Sequence, residues 1–511
     1  TNEGGARIEN SGEGALSVNG TYTNKGDSNF VNTGSKGIVV SGLIDNNGSL
    51  ILDNSGAGGT LINGAVNNKG NALINNKAGH LQVNGAVMNS NGKLTMNNSG
   101  SGITIAKKAS VIGDGEFEMN NSGSQGIKID GSINNKNGSA KINNEAGLLV
   151  VNGAVSNSGP KLSLLNRGEG IRVNENALIV GNGEFEMNNS GDKGIQINGK
   201  IDNRNGKALI TNTGAEGIHI QSTGRVSNKT DILTINNTGK GGINVRGLVD
   251  ANGINIENRG SNVVIGDNTG NDNYLSSTGD VNINIKSGSL LNAGYDKTLI
   301  ATTNKGNLNI NVQDGTIGSN TQNPKDGIGI GPNAREFDKS INVKIDGKIN
   351  AQTKKFLSKD DLVINMASKN TDMRVDHIKA DGDVILTADY ENYNDRTSKT
   401  YSIVNASSDP SKANVEGKNI SLIASNQIGS KDNRLTFKQT DAKNGELNIL
   451  AEKDINIKGL DSADGSKNDT KAGAIISREG NINAEFSGDT YIREITADKN
   501  IDLVTRGKNM Y

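Results

Sequence analysis

The sequence predicts an all-β chain folded as a right-handed parallel β-helix, a β-solenoid with three short strands in each coil of about 22 residues. Two observations predict it, an Asn-based repeat of nearly constant period and an alternation of apolar and polar residues inside each repeat. Successive side chains of a strand point to opposite faces, so apolar residues at positions i and i+2 share one buried face.

The repeat is anchored on an Asn that is usually followed by Gly two places later. Successive anchors lie 22, 22, 22, 22, 23, 23, 22, 23, 23, 25 and 21 residues apart. Self-similarity at this period is typical of solenoids. Asn stacked at one corner of successive coils can form a ladder of amide hydrogen bonds. The twelve anchors are Asn10, Asn32, Asn54, Asn76, Asn98, Asn121, Asn144, Asn166, Asn189, Asn212, Asn237 and Asn258.

Each repeat contains three alternating segments separated by turn residues. After Asn189 come Ile195-Gln196-Ile197, a turn at Asn198-Gly199, and Ile201 with Asn203. Asn-Gly supplies the backbone conformations that sharp corners need. An antiparallel sandwich would not hold one period, and a βα unit would need a helical segment that the pattern lacks.

Two regions are predicted, a regular shaft over 1–266 and an irregular continuation of the solenoid over 267–511. In the second region Gly-Asp/Asn-apolar segments continue at wider and variable spacing, beginning at Gly279, Gly306, Gly382 and Gly445. Insertions in a solenoid form surface loops that often carry binding. We expect such loops at Asn320 to Lys339, Ala388 to Lys399 and Asp461 to Lys471.

Composition argues against several classes of function. Lys plus Arg number 54 against 55 Asp plus Glu, which gives no electrostatic basis for binding nucleic acid or an anionic membrane. No apolar run is long enough to span a bilayer. Cys is absent, which excludes thiol nucleophiles and thiolate metal sites. No cofactor is expected.

No metal site and no enzymatic activity are predicted. The oxygen-rich segment Asp267 to Asn273 lacks the Glu of a calcium loop, because Thr278 stands at the twelfth position. The histidines are scattered, and His219, in the middle of Ile218-His219-Ile220, is expected to point outward. Some β-helix proteins cleave polysaccharides with clustered Asp, Arg and Lys, but nothing in the sequence marks such a cluster.

The second region resembles the filamentous haemagglutinin and high-molecular-weight adhesin family, which is exported by two-partner secretion. The segments Asn419 to Ser430 and Leu447 to Ile457 resemble that family's G-x-Φ-x-L-x-A-x-x-x-Φ repeat. The resemblance implies a right-handed β-helix, secretion through an outer-membrane partner and binding to host cells. The Asn-Pro-Asn motifs of the family's secretion domain are absent, since the sole Asn-Pro is Asn323-Pro324. We therefore expect a segment downstream of that domain, or a resemblance confined to the repeat.

A cluster of aromatic and polar residues in the second region is the predicted glycan-binding site. It consists of Tyr390, Tyr393, Arg396 and Tyr401, whereas residues 1–270 contain only Tyr22, Phe30, Phe117 and Phe185 as aromatics. Tyr rings stack on sugar C–H surfaces, and Arg hydrogen-bonds hydroxyls or a carboxylate. The alternative is that these Tyr side chains cap an irregular coil.

Asn-x-Ser/Thr triplets give candidate glycosylation sites. Asn-rich turns also produce such triplets by composition alone, so modification is a hypothesis beside that reading. The candidates are Asn19, Asn47, Asn97, Asn120, Asn137, Asn188, Asn228, Asn236, Asn405, Asn419 and Asn468.

The predicted function is attachment, by a rigid secreted rod at the bacterial cell surface that makes many weak contacts multiplied by avidity. Expected partners are a host-cell glycan or protein receptor and the outer-membrane secretion partner, with self-association as a further possibility. Thr1 in place of Met, and a repeat pattern that stops at Tyr511, indicate a segment of a longer protein. The alternatives are a self-assembling extracellular filament, matrix or surface layer, and a stalk that delivers a C-terminal toxin.

Overall fold

The computed structural model describes most of the chain and confirms the predicted β-solenoid. Its described residues form parallel strands joined by turns, with no helix among them. They group into two compact units, one of residues 1–242 and 247–251 and one of residues 243–246 and 252–511. The described ranges are 2–266, 274–292, 300–302, 308–312, 316–318, 341–345, 348–350, 356–358, 362–366, 372–375, 377–380, 382–388, 401–407, 410–411, 413–462 and 465–511.

The first unit has three strands in each coil, as predicted. The first strands are Ala6–Asn10, Ser28–Asn32, Leu50–Asn54, Ala72–Asn76, Leu94–Asn98, Phe117–Asn121, Ala140–Asn144, Lys161–Asn166, Glu184–Asn189 and Ala208–Asn212. The second strands are Leu16–Val18, Ile38–Val40, Thr60–Ile62, His80–Val83, Gly102–Ile105, Ile127–Ile129, Leu148–Val151, Gly170–Val173, Ile195–Ile197 and Ile218–Ile220. The third strands are Thr21–Asn24, Leu43–Asn46, Ala65–Asn68, Ala86–Asn89, Ser110–Gly113, Ser132–Asn135, Ala154–Asn157, Leu178–Gly181, Lys200–Asn203 and Arg225–Asn237, the last of which continues through a corner into the next coil.

Equivalent strands of successive coils pair in parallel and in register. Asn32 aligns with Asn54, and Phe30 aligns with Leu52. Inner positions such as Phe30, Leu52 and Ile74 are fully buried, and the residues between them face outward. The period-2 alternation of the sequence therefore becomes an apolar interior and a polar exterior.

The corner Asn residues of the repeat form a continuous buried ladder. Each Nδ2 donates a hydrogen bond of 2.7–2.9 Å to the Oδ1 of the next Asn. From Asn32 onward these side chains are at most 3% exposed. This confirms the predicted amide ladder over the anchors of the first unit, which are Asn10, Asn32, Asn54, Asn76, Asn98, Asn121, Asn144, Asn166, Asn189, Asn212 and Asn237.

A second buried ladder, which the sequence pattern did not predict, runs along the corner after the third strand. Its bonded stretches are Asn24 to Asn89, Asn135 to Asn157 and Asn203 to Asn228. Gly113 and Gly181 occupy the two intervening positions. The ladder is therefore broken in two places, both within the first unit.

The interior of the first unit also repeats every three coils. From Ala72 onward, the first inner position of the first strands reads Ala, Leu, Phe and then begins again, whereas Ser28 and Leu50 before it do not follow this order. Phe117 and Phe185 are 68 residues apart, as are Gly113 and Gly181. The eight residues in order are Ala72, Leu94, Phe117, Ala140, Leu162, Phe185, Ala208 and Leu233.

The strands after Gly242 keep parallel pairing with a variable number of residues per coil, as predicted for the second region. Paired positions are 21 residues apart from Ile341 to Leu362 and 36 apart from Val384 to Ile420. These strands are Ile243–Val245, Leu248–Asn258, Val263–Ile265, Leu275–Ser277, Val281–Ile285, Leu290–Asn292, Ile300–Thr302, Leu308–Val312, Thr316–Gly318, Ile341–Ile345, Lys348–Asn350, Phe356–Ser358, Leu362–Met366, Met373–Val375, Ile378–Ala380, Asp383–Ala388, Ile403–Asn405, Val415–Gly417, Asn419–Ala424, Leu435–Gln439, Leu447–Ala451, Ile455–Gly459, Thr470–Ser477, Ile482–Phe486, Thr490–Ala497 and Ile501–Thr505.

One corner of the first unit carries a histidine among glycines. His80 aligns with Gly102, and its Nε2 lies 2.8 Å from Thr104 Oγ1 in the next coil. Burial lowers the pKa of His80 below its ordinary value of 6.5. The imidazole is therefore held neutral in the folded chain at neutral pH.

Replacing one Asn of the continuous ladder should destabilise the coils on both sides. Asn144→Ala leaves the Nδ2 of Asn121 and the Oδ1 of Asn166 without their partners. The loss of two buried hydrogen bonds, at about 1–3 kcal/mol each, predicts a decrease of about 2–6 kcal/mol in the free energy of unfolding. Hydrogen exchange of the strand amides should report the loss locally, since each coil contacts only its neighbours.

The neighbouring residue provides a matched control. Asn143 is in the same strand but faces outward, half-buried. Asn143→Ala should change stability by no more than about 0.5 kcal/mol. Equal effects of the two substitutions would contradict a stabilising role for the ladder.

The histidine corner should make the first unit sensitive to acid. Because the folded pKa of His80 lies below the unfolded value, the unfolded chain binds the proton more readily. Its contribution to stability is therefore present above pH 6.5 and is lost as the pH falls below that value. The drop in melting temperature from about pH 7.5 to about pH 5.5 should be smaller in His80→Gln. His219→Gln is the control, and a pH response changed equally by both substitutions would contradict the assignment.

Candidate functional site

The aromatic cluster predicted from sequence does not form a described binding site. Tyr390, Tyr393 and Arg396 lie outside the described residues. Tyr401 is described, and it is 6% exposed, with its backbone N donating to Ser425 Oγ at 3.0 Å. Its ring is packed inside the second unit and cannot stack on a sugar from solvent. The burial of Tyr401 fits the alternative, a packing role, while the glycan-binding site stays a prediction from the sequence.

The expected loops fall partly outside the described residues. Those at Asn320 to Lys339 and after Ala388 lie outside them. The loop from Asp461 to Lys471 is largely described and is held by hydrogen bonds, including Asn468 Nδ2 to Leu460 O at 2.6 Å. Lys467 pairs with Asp461 at 2.9 Å. The hydrogen bonds from Lys467 and from Ser487 lower the pKa of the Asp461 carboxyl, the Ser487 bond most strongly.

The Asn-x-Ser/Thr triplets occupy different environments. Asn228 is fully buried in the second ladder, and its Nδ2 donates to Ile232 O at 2.8 Å, so the folded chain leaves no room for a sugar on that nitrogen. Three candidates are exposed at turns, namely Asn19, Asn47 and Asn137. Seven are half-buried, namely Asn97, Asn120, Asn188, Asn236, Asn405, Asn419 and Asn468.

His219 lies between two buried Ile residues on the outer side of its strand, as predicted. Among the described residues, no group of three or more His, Cys, Asp or Glu side chains could hold a metal ion. No helix in the described part of the chain is long and apolar enough to cross a membrane.

A groove of about 360 Å³ lies on the outer face of the first strands in the first unit. It crosses the coils that contain Phe117–Asn121, Ala140–Asn144, Lys161–Asn166 and Glu184–Asn189. Its volume is at the small end of ligand pockets, which span about 300–1,000 Å³. The lining residues are Glu116, Phe117, Glu118, Ser139, Ala140, Lys141, Lys161, Ser163, Leu165 and Glu186.

Small residues between longer ones create this groove. Ser163 is the outward residue of its strand between Lys141 and Glu186 in the neighbouring coils. It is 6% exposed and lies under an ion pair in which Lys161 Nζ is 2.7 Å from Glu186 Oε2. The hydrogen bond to Glu186 raises the pKa of Lys161. The groove thus has a hydroxyl floor and a charged rim.

The lining is close to electrically balanced. It contains three carboxylates, two ammonium groups and two hydroxyls, with the side chain of Leu165 as an apolar surface. One of the carboxylates, Glu118, is paired with Lys93 at 2.9 Å. Such a set of donors and acceptors suits a small neutral ligand rich in hydroxyl groups, because each hydroxyl both donates and accepts.

Sequence reasoning missed this groove, although a signal was present. Lys93 and Glu118 recur 68 residues later as Lys161 and Glu186, and both pairs are bonded. Recognising the three-coil repeat would have placed these pairs on one outer face. The two ion pairs are three coils apart, so the period of a single coil does not show that they are equivalent.

Comparison with known proteins does not place the chain in a family. No family model matches it, and no curated protein or solved structure gives a match. The resemblance of Asn419 to Ser430 and Leu447 to Ile457 to haemagglutinin-type repeats therefore stays a prediction from the sequence.

Proposed function

We propose that the chain is part of a secreted bacterial adhesin, a solenoid whose outer faces attach to host-surface glycans. The observation that carries the proposal is the groove around Ser163, which lies on a regular outer face and is lined with hydrogen-bonding groups. A β-solenoid is compatible with this function, because packing fills its interior and leaves recognition to outward side chains and loops.

The chemistry of the groove supports a glycan rather than a peptide ligand. Its carboxylates, ammonium groups and serine hydroxyls match the hydroxyls of a sugar. Its apolar surface is larger than its polar surface, and this apolar part can lie against the C–H face of a sugar ring. Binding at one such groove should be weak, so attachment depends on several contacts acting together.

The test is binding of the 511-residue chain to a glycan array, followed by a substitution that fills the groove. Ser163→Phe should reduce binding of the best glycan at least about tenfold, because the ring occupies the floor. The matched control is Thr234→Phe, which places the same ring at an outward position of a first-strand segment outside the groove. Circular dichroism should be unchanged in both variants.

Other results would reject the proposal. Equal glycan binding by the native chain and Ser163→Phe would remove the groove from the mechanism. Absence of binding to both the array and host cells would count against an adhesin. Concentration-dependent fibres of the native chain, without glycan binding, would favour a self-assembling extracellular filament.

A further inference from the structure

The Asn-Gly pairs of the first unit fall into two groups that differ in what the glycine N–H does. In one group the glycine N–H is bonded to a neighbouring coil, as in Gly64 N to Val40 O at 2.9 Å and Gly85 N to Ile62 O at 3.0 Å. In the other group, which contains Asn47-Gly48 and Asn91-Gly92, the glycine N–H makes no hydrogen bond, and the same holds at Asn19-Gly20, Asn182-Gly183 and Asn205-Gly206. The amino-acid pair is the same, and only the environment differs.

The side-chain amides of Asn63 and Asn84 differ from those of Asn47 and Asn91 in the same way, whereas Asn182 and Asn205 are bonded to each other although their glycine N–H groups are not. Asn63 and Asn84 are bonded to each other at 2.7 Å, and Asn84 Oδ1 also accepts from Gln82 at 2.8 Å. Asn47 and Asn91 are exposed, and their side chains make no hydrogen bond. Gly92 also has a left-handed backbone, with φ of 71°. Both reacting groups, the amide carbon and the next backbone nitrogen, are therefore unrestrained at these two corners.

We propose that Asn47 and Asn91 are sites of spontaneous deamidation, a self-modification built into these corners. The backbone N of the glycine attacks Cγ of the Asn, a C–N bond forms, and the Cγ–Nδ2 bond breaks with loss of ammonia. Water then opens the resulting succinimide at either carbonyl to leave aspartate or isoaspartate. The reaction needs only water as a co-reactant, and each event adds one negative charge.

The corners that contain Asn47 and Asn91 are hydrogen-bonded to asparagines of the second ladder. Asn46 Nδ2 donates to Gly48 O at 2.8 Å, and Asn89 Nδ2 donates to Asn91 O at 2.7 Å and Gly92 O at 3.1 Å. Isoaspartate inserts an additional main-chain carbon next to these acceptor carbonyls. Modification at either site should therefore loosen the buried amide beside it, as well as change the surface charge.

A third exposed Asn distinguishes the effect of exposure on the deamidation rate from the effect of hydrogen bonding. Asn137-Gly138 lies at the same corner as Asn47-Gly48, four coils later, and Asn137 is also exposed. There, however, Gly138 N donates to Gly115 O at 3.1 Å, and Asn137 Nδ2 donates to Asp114 Oδ1. Asn137 should react slowly in spite of its exposure.

The experiment is incubation of the intact chain at neutral pH and physiological temperature, with peptide mapping by mass spectrometry at intervals. The fraction of Asn47 and Asn91 that gains one dalton should exceed that of Asn63, Asn84 and Asn137 at least about tenfold, because those three need local unfolding before they react. Separation of the aspartate and isoaspartate peptides by retention identifies the succinimide route.

A parallel incubation in denaturant separates the effect of the fold from that of the local sequence. There all five Asn residues should react at similar rates, since the hydrogen bonds are lost. Modification of Asn63 or Asn84 as fast as Asn47 in the folded chain would overturn the proposal. So would unmodified Asn47 and Asn91 after a period in which the denatured chain has reacted.

Discussion

The buried asparagine amide is the interaction on which the regular half of the molecule depends. Asn32 illustrates it, since its Nδ2 donates both to Gly34 O in its own corner and to Asn54 Oδ1 in the next coil. Its Oδ1 accepts from Asn10. One side chain thus closes a turn and joins two coils. Aspartate could not donate, and a serine hydroxyl has a single hydrogen to give. The period stays near 22 residues because each amide must stand over the previous one.

The sizes of the inner side chains repeat over three coils, whereas the corner hydrogen bonds repeat in every coil. Along one inner column Ala, Leu and Phe alternate, so each large ring stands next to a small methyl group. In the two coils that contain Phe117 and Phe185, glycine replaces the Asn of the second ladder. A Cβ at Gly113 would overlap with Asn135 Oδ1, which is left without a donor. The second ladder is therefore interrupted beside Phe117 and Phe185, while the first ladder remains continuous.

The sequence predicts most of the first unit because its dominant forces are local and periodic. The alternation of apolar and polar residues predicted the strands, and the Asn anchors predicted the continuous ladder. The second ladder escaped prediction because its column contains Gly113 and Gly181, which hide the repeat from an alignment on one residue type. The burial of Tyr401 could not be predicted either, since the packing of an irregular coil depends on its three-dimensional neighbours and not on spacing.

Stacking also limits where recognition is possible in such a fold. Inner positions are fixed by stacking, and most corner glycines lie against backbone of the adjacent coil, so variation is confined to outward side chains. An outward side chain meets others only along its column, unless the register shifts. One shift occurs between the strands Leu447–Ala451 and Thr470–Ser477 of the second unit. There Glu446, Asn448 and Arg493 converge over Gly473, whose missing Cβ leaves the space. In the first unit, small residues such as Ser163 let outward side chains of neighbouring coils converge without a bulge. A solenoid therefore creates concave sites by removing side-chain volume from an otherwise flat face, and a search for its binding residues should begin at outward Ser and Gly positions flanked by charged pairs.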